Sequence, residues 1–230
     1  MGRAITRRLA AEGAAVFAVD INQAGLEETA ASCTDKVWTR VADLGDPAVC
    51  RDVVDACVAD LGRLDVLGNV AGILLAGHAT DISVEQYRRI MAVNLDAYFF
   101  LAQAAIPHLL EADGTIVNIA SNAGIQGIPY ALAYSMSKGG VVQLTRSLAT
   151  EYLKKPLRVN AIAPAGTNTN IGANASFPPD IEVDLMMRMA GHRGMAEPED
   201  VAALFAFLAS DEARAVHGAI YTIDHGLTAS

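Results

Sequence analysis

The sequence predicts an α/β fold: a parallel sheet covered by helices on both faces. Three observations carry this. Short apolar runs alternate strictly with longer helical patterns. The apolar runs are continuous rather than alternating, as in strands buried on both sides. Small and polar residues stand where those runs end, at the edge where open α/β sheets bind ligands.

Residues 2–12 predict a helix, with Ile5 and Leu9 on one side and Arg3, Arg7 and Arg8 on the other; Gly13 ends it. Residues 14–19 are a small apolar strand closing on Asp20. A helix over 22–32 and a strand over 37–41 follow, the latter running on to Asp43-Leu44. Residues 46–61 are amphipathic, with Val49, Val53, Val54, Cys57 and Leu61 at helical spacing. Another buried strand over 64–70 leads into Ala71-Gly72. A helix opens at 83–89, a long one covers 93–110, and a strand over 115–120 leads straight to Ser121. Residues 132–152 are helical, 157–163 form a strand ended by Pro164, Glu197-Pro198-Glu199-Asp200 caps a helix through Ala209, and 219–224 form the last strand. No repeat or linker divides residues 1–230, so one domain is expected.

The alternation lapses over 167–195. Residues 167–174 are polar, Phe177-Pro178-Pro179 breaks the chain, and Ile181, Leu185, Met186 and Met189 give a short amphipathic helix. An excursion of this length is either a binding lid or a surface loop.

At 230 residues and 52% hydrophobic, the chain can bury one sizeable core. A net charge of −9 with no basic stripe argues against a nucleic-acid or anionic-membrane surface. No apolar run reaches membrane-spanning length, and no signal-peptide segment opens the chain. Cys33, Cys50 and Cys57 are odd in number and lack metal-type spacing, so reduced thiols and a cytoplasmic location are expected. The five histidines stand at no metal-ligand spacing with carboxylates, which predicts no metal site. No Gly-x-Ser-x-Gly elbow suggests a hydrolase.

The chemistry concentrates in the stretch from Ser121 to Lys138. Tyr134 and Lys138 stand four apart and share one helix face. A phenol titrates near 10, too high for a base at neutral pH, and a neighbouring ammonium favours the phenolate. Ser121 offers a hydroxyl to hold a substrate oxygen beside Tyr134. Alone, such a pair is usually a half-buried tyrosine with a solvated lysine; the serine and the other segments shift the reading toward proton transfer. Asp20, at its strand end, suits a ribose hydroxyl or the cap of the next helix equally. Ile21 follows it and no arginine is near, so any dinucleotide is expected to be NAD rather than NADP. Asn94 is a polar residue in an apolar helical run, a setting usually satisfied by backbone.

In order, Asp20, Asp43-Leu44, Asn69-Val70-Ala71-Gly72, Asn94, Ser121, Tyr134-x-x-x-Lys138, Asn160 and Pro164-Ala165-Gly166 with Thr169 make the chain resemble the short-chain dehydrogenase/reductase family over nearly its whole length. Ser121 precedes Tyr134 by thirteen positions, as in that family. The resemblance implies a Rossmann-like doubly wound sheet. Tyr134 would be the general acid/base, Lys138 would lower its pKa and meet the nicotinamide ribose, and Ser121 would orient the substrate oxygen. Asn94 would hold a water in a proton relay. Gly2, Asp20 and Ile21 would meet the pyrophosphate and adenosine ribose, Asp43 and Leu44 the adenine, and Asn69, Ala71 and Gly72 the adenosine side. Pro164, Thr167 and Thr169 would meet the nicotinamide amide.

The implied activity is NAD-dependent interconversion of a secondary alcohol and a ketone, with 3-oxoacyl thioester reduction close by in the same family. The pocket would be lined by Leu74, Leu75, Ile125, Ile128, Tyr130 and the segment 171–189. A homotetramer or dimer is also implied. The alternative is a non-catalytic relative kept as a folded or oligomeric binding partner.

The chain departs from the family pattern at its start, where a central strand and a Gly-rich turn normally precede the first helix. Gly2 stands at the last of those glycines. Losing a strand of roughly five or six residues exposes backbone groups at about 1–3 kcal/mol each when buried and unsatisfied. Two explanations follow: a strand encoded upstream of Met1, or a shortened paralogue arranged differently at the gap. Either way, weak NAD binding is expected, because the helix N-terminus lacks the loop that cradles pyrophosphate. Smaller departures are Val70, Ala165 and His225, the last two where glycine is usual.

Overall fold

Among the described residues the alternation produces six parallel strands, divided between two sheets. The computed structural model describes residues 1–173, 177–187 and 193–229. β1 (Val16–Asp20) pairs with β2 (Val37–Val41), Val16 opposite Val37. β3 (Val66–Asn69), β4 (Thr115–Ile119), β5 (Arg158–Pro164) and β6 (Ile220–Ile223) pair in that order, all parallel. Among the described residues no strand joins β1 to β3. A cavity of about 650 Å³ lies there, lined by the residues of both strands and by Leu101 and Phe205. Among the described residues the hydrogen-bonded ladder is therefore interrupted between β1 and β3.

Helices cover both faces, as expected. On one side pack α3 (Pro47–Leu61), α5 (Ala97–Glu111) and α6 (Leu132–Glu151), through Val53, Leu101, Leu109 and Val141. On the other pack α1 (Gly2–Ala11) and the C-terminal helix Pro198–Ala209, through Ile5, Val201 and Phe205. Each fully buried large apolar side chain contributes roughly 1.5–3 kcal/mol. β4 and the last six residues of β5 are buried throughout, which is why their sequences are mostly apolar, with Asn118 and Asn160 as buried polar exceptions.

Local signals account for the element ends. α2 (Gln23–Ala31) is capped by the Asn22 side chain. α3 starts at the Asp46 cap with Pro47 in its first turn and stops at Gly62, whose φ of 80° lies in the left-handed region. α4 (Val84–Met91) opens with a Ser83–Gln86 capping box. The helix Pro198–Ala209 has the capping box predicted from Glu197 to Asp200.

Two expectations are corrected. The helices expected at 83–89 and 93–110 form one continuous run, because a π-helical turn, Ala92–Asp96, carries α4 into α5. That run, Val84–Glu111, is long and apolar enough by length and composition to cross a membrane, contrary to the sequence expectation. Counting consecutive apolar residues missed it because a spanning window tolerates a few charges. Half of the window is buried in the fold, including Tyr98, Ala105 and Leu109, so it packs as a core helix.

The excursion after β5 holds two short helices, α7 (Asn170–Ala173) and α8 (Val183–Met187); the first was not anticipated. Met189, expected to extend the second, lies outside the described residues. A bridge between Thr167 and Ala196 ties the two ends of the excursion together. The C-terminal helix Pro198–Ala209 is labelled α9 below.

Candidate active site

β4 delivers Ser121 to the carboxyl edge of the sheet. There the Ser121 Oγ accepts the Ala123 N–H at 3.1 Å, capping a single 3₁₀ turn, Asn122–Gly124. The Ser121 hydroxyl lies 3.1 Å from Asn122 Oδ1 and 3.4 Å from the Pro164 carbonyl. It also hydrogen-bonds Tyr134. The 3₁₀ turn presses on α6: a Cβ at Gly124 would sit 2.5 Å from the Lys138 carbonyl oxygen. Gly124→Ala is therefore expected to cost about 1–3 kcal/mol through overpacking and to lower turnover, as read by urea unfolding and initial rates. A variant as stable and active as the parent would refute this tight approach.

Tyr134 lies in the first turn of α6 and is half-buried. Burial raises its pKa and the Ser121 hydrogen bond partly offsets that. This shift runs opposite to the lowering expected from Lys138. Lys138 stands one turn on and is 3% exposed. Its Nζ donates to the Ile119 carbonyl at 2.7 Å and to the Tyr98 hydroxyl at 3.4 Å. Desolvation lowers its pKa to about 7, so the cation is only partly present at neutral pH.

Asn94 sits in the π-helical turn, fully buried. Its Oδ1 accepts the Ile73 N–H at 2.8 Å; its Nδ2 donates to the Ile73 carbonyl at 2.9 Å and to Ser137 Oγ at 3.1 Å. Ser137 in turn donates to the Tyr134 carbonyl at 2.7 Å. Gly72 passes close by: an added Cβ would lie 3.4 Å from Asn94 Oδ1 and 3.6 Å from Lys138 Nζ. Asn94, Gly72, Ser121, Tyr134 and Lys138 are thus brought to one place by β3, β4, α5 and α6.

The other expected residues spread along the carboxyl edge. Gly2, Asp20, Leu44, Asn69 and Ala71 line the cavity between β1 and β3, whereas Ser121 and Tyr134 do not. The Asp20 carboxylate accepts the Asn22 N–H at 2.9 Å, but Asn22 itself caps α2. Of the two uses open to Asp20 in the sequence, the cap belongs to its neighbour, and Asp20 stays exposed beside Ile21 at 61% exposure. Asp43 pairs with Arg89 at 3.0 Å and accepts the Gly45 N–H, which together hold its carboxyl below the usual range. Asn69 donates to Asn118 Oδ1 at 2.9 Å, and Asn118 donates to Thr145 Oγ1 at 2.9 Å. Asn69 Oδ1, buried at the cavity, has no hydrogen-bond partner among the described residues. Thr167 donates to the Ala165 carbonyl at 3.1 Å, and the Thr169 hydroxyl lies 3.5 Å from the Thr167 carbonyl. Asn160 is structural, holding the Val216 carbonyl and the Ala219 N–H beside β6.

Tyr98 was missed in the sequence. It is 1% exposed, touches Lys138, and donates to the carbonyls of Ala71 and Ile119 at 3.0 and 3.2 Å. The available signal was its place one turn after Asn94. The rim of the cleft also carries contacts that sequence could not show. His78 Nε2 meets Asp180 Oδ1 at 2.9 Å, and the Tyr130 hydroxyl accepts the Glu182 N–H at 2.8 Å. His225, where the family usually has glycine, has a φ of 52°, a left-handed conformation that explains that preference.

A family model described as enoyl-(acyl carrier protein) reductase matches residues 1–228. Meso-2,3-butanediol dehydrogenase of Serratia marcescens is 38% identical, across 100% of this chain and 91% of that protein. The inactive 2-(S)-hydroxypropyl-CoM dehydrogenase 2 of Xanthobacter autotrophicus is 36% identical, across 100% of both chains. The structure of carveol dehydrogenase from Mycobacterium avium, in complex with NAD, has a TM-score of 0.90 at 29% identity, covering 100% of this chain and 94% of that one.

Proposed function

Because the chain belongs to the short-chain dehydrogenase/reductase family, we propose that it is an oxidoreductase interconverting a secondary alcohol and its ketone, with NAD as hydride partner. The observation that carries this is Ser121 hydrogen-bonded to Tyr134, one helical turn from buried Lys138. Ser121 orients the substrate oxygen. Tyr134 takes the hydroxyl proton of the alcohol, or returns it to the carbonyl oxygen of the ketone. Lys138, when charged, favours the phenolate form of Tyr134. The nicotinamide, when bound, accepts or supplies the hydride. Small alcohols and diols are favoured by the likeness to meso-2,3-butanediol dehydrogenase.

The residues present fit such a cofactor. The exposed Asp20 carboxylate, free of helix-capping duty, would meet the adenosine ribose, and its charge would repel a 2′-phosphate. Gly2 and Ile21 would flank it, Asp43 and Leu44 would face the adenine, and Asn69, Ala71 and Gly72 the adenosine side. Pro164, Thr167 and Thr169 would hold the nicotinamide amide, and Asn94 would hold a water in the proton relay. Asp20→Ser is expected to raise kcat/KM with NADP relative to NAD by roughly tenfold, about 1.4 kcal/mol of repulsion removed. An unchanged cofactor ratio would count against NAD preference.

We read the cavity between β1 and β3 as the seat of a further parallel strand and its Gly-rich turn. Its apolar lining and the two strand edges facing it support this, as does the unpartnered Asn69 Oδ1. While it stays unfilled, the pyrophosphate cradle is incomplete and NAD binds weakly. A screen should therefore use millimolar NAD with secondary alcohols and diols. Turnover supports the enzyme. A folded chain without turnover favours the second reading, a non-catalytic binding partner, which the equally long inactive relative makes specific. Exposed Phe99, 45% accessible on α5, and Met136, 49% accessible on α6, favour pairing of copies into a dimer or tetramer through those helices. Three free thiols, two of them buried, favour the reducing cytoplasm.

A further inference from the structure

We infer that Tyr98 is a positioning residue of this reaction, its hydroxyl fixing the Lys138 ammonium and helping to keep it charged; this rests on the role of Lys138 proposed above. Lys138 is fully enclosed. The ionisable groups around it are Tyr98 on α5 and Tyr134 on its own helix. β4 presents the Ile119 carbonyl, and the loop after β3 presents Gly72 beside Asn94. Among the described residues no carboxylate pairs with the ammonium. Its charge is held by neutral oxygens alone, and each one counts in a site without water to replace it.

Tyr98 suits that task for three reasons. Its hydroxyl accepts from Lys138 Nζ at 3.4 Å while spending its own proton on the carbonyls at the ends of β3 and β4, Ala71 at 3.0 Å and Ile119 at 3.2 Å. That anchoring aims the lone pairs at the lysine. Its ring lies 5.1 Å from the same nitrogen and adds an attractive aromatic face. Complete burial raises its pKa far above the ordinary phenol value, so it stays a neutral acceptor throughout the working range. Tyr134, by contrast, is only half-buried, in the first turn of the same lysine's helix.

The test is Tyr98→Phe, which keeps the ring and removes one oxygen. Lys138 is titrated by NMR, through its labelled side-chain nitrogen, in enzyme free of substrate and cofactor. Its midpoint is expected to fall by about one pH unit, the scale of losing one hydrogen bond to a charged group. If Phe at this position impairs folding, 3,5-difluorotyrosine incorporated at position 98 keeps every contact but weakens the acceptor, and a smaller fall in the same direction is expected. A Lys138 midpoint that stays put in the folded variant overturns the inference. Because that titration needs no turnover, it can fail while Tyr134→Phe still supports the catalytic reading, and the converse also holds.

Discussion

Tyr134→Phe will lower kcat by about 10²–10⁴-fold while the fold survives, the range over which a positioned acid/base acts. The change deletes one oxygen at the start of α6. The half-buried ring and its packing remain, so the far-ultraviolet circular dichroism and the urea midpoint should match the parent closely. What disappears is the group proposed to exchange a proton with the substrate oxygen, together with its hydrogen bond from Ser121. KM should move little, since Ser121, proposed to orient the substrate oxygen, and the cleft walls are unchanged. Turnover at the parent rate would remove Tyr134 from the mechanism and leave the short-chain dehydrogenase/reductase fold without its proposed chemistry.

Lys138→Met will remove a pH dependence of stability. The folded lysine has its pKa lowered to about 7 from an ordinary 10.5. Between those values the unfolded chain binds a proton that the folded chain does not, so stability rises with pH through that window. Cys50 and Cys57 act with the opposite sign. Burial pushes each thiol up to about 11 from 9.0, the folded chain keeps those protons, and stability falls as pH climbs past 9. The parent should therefore gain stability from pH 7 to 9, by about 2.7 kcal/mol at most for the lysine, and turn over above. The N-terminal amine, also lowered by burial, adds the same sign below pH 8, so the comparison is between chains rather than within one. Methionine fills a similar volume without a charge to desolvate. Urea midpoints at pH 7, 8 and 9 should show a flattened slope in the variant; an identical slope would contradict the buried-cation account.

The strands were legible because burial on both faces favours largely apolar runs, and β4 and β5 are such runs apart from the hydrogen-bonded Asn118 and Asn160. Ser121, Tyr134 and Lys138 were legible because helical spacing places the last two on one face and the strand end places the first. The π-helical turn was not. It belongs with Asn94 bonding the Ile73 backbone, a contact between segments 21 residues apart that no local pattern announces. The Asp43–Arg89 pair was hidden for the same reason. Tyr98 looked like one more apolar core position, since its hydroxyl partners come from the ends of two different strands. The raised pKa of Tyr134 follows from enclosure by the whole fold, which sequence spacing cannot weigh against a neighbouring charge.

The break between β1 and β3 also acts as a seam. Asp20 ends the strand on one bank and Asn69 the strand on the other, with Ser121 one strand further on, after β4. In an unbroken sheet that span is a fixed ruler, set by hydrogen-bonded ladders. Here it is set by side chains, notably Ile5 of α1 seated with Phe205 of α9. Hydrocarbon packing constrains direction less strictly than hydrogen-bonded ladders do, so the α1–α9 contact sets how the two sheets sit across the break.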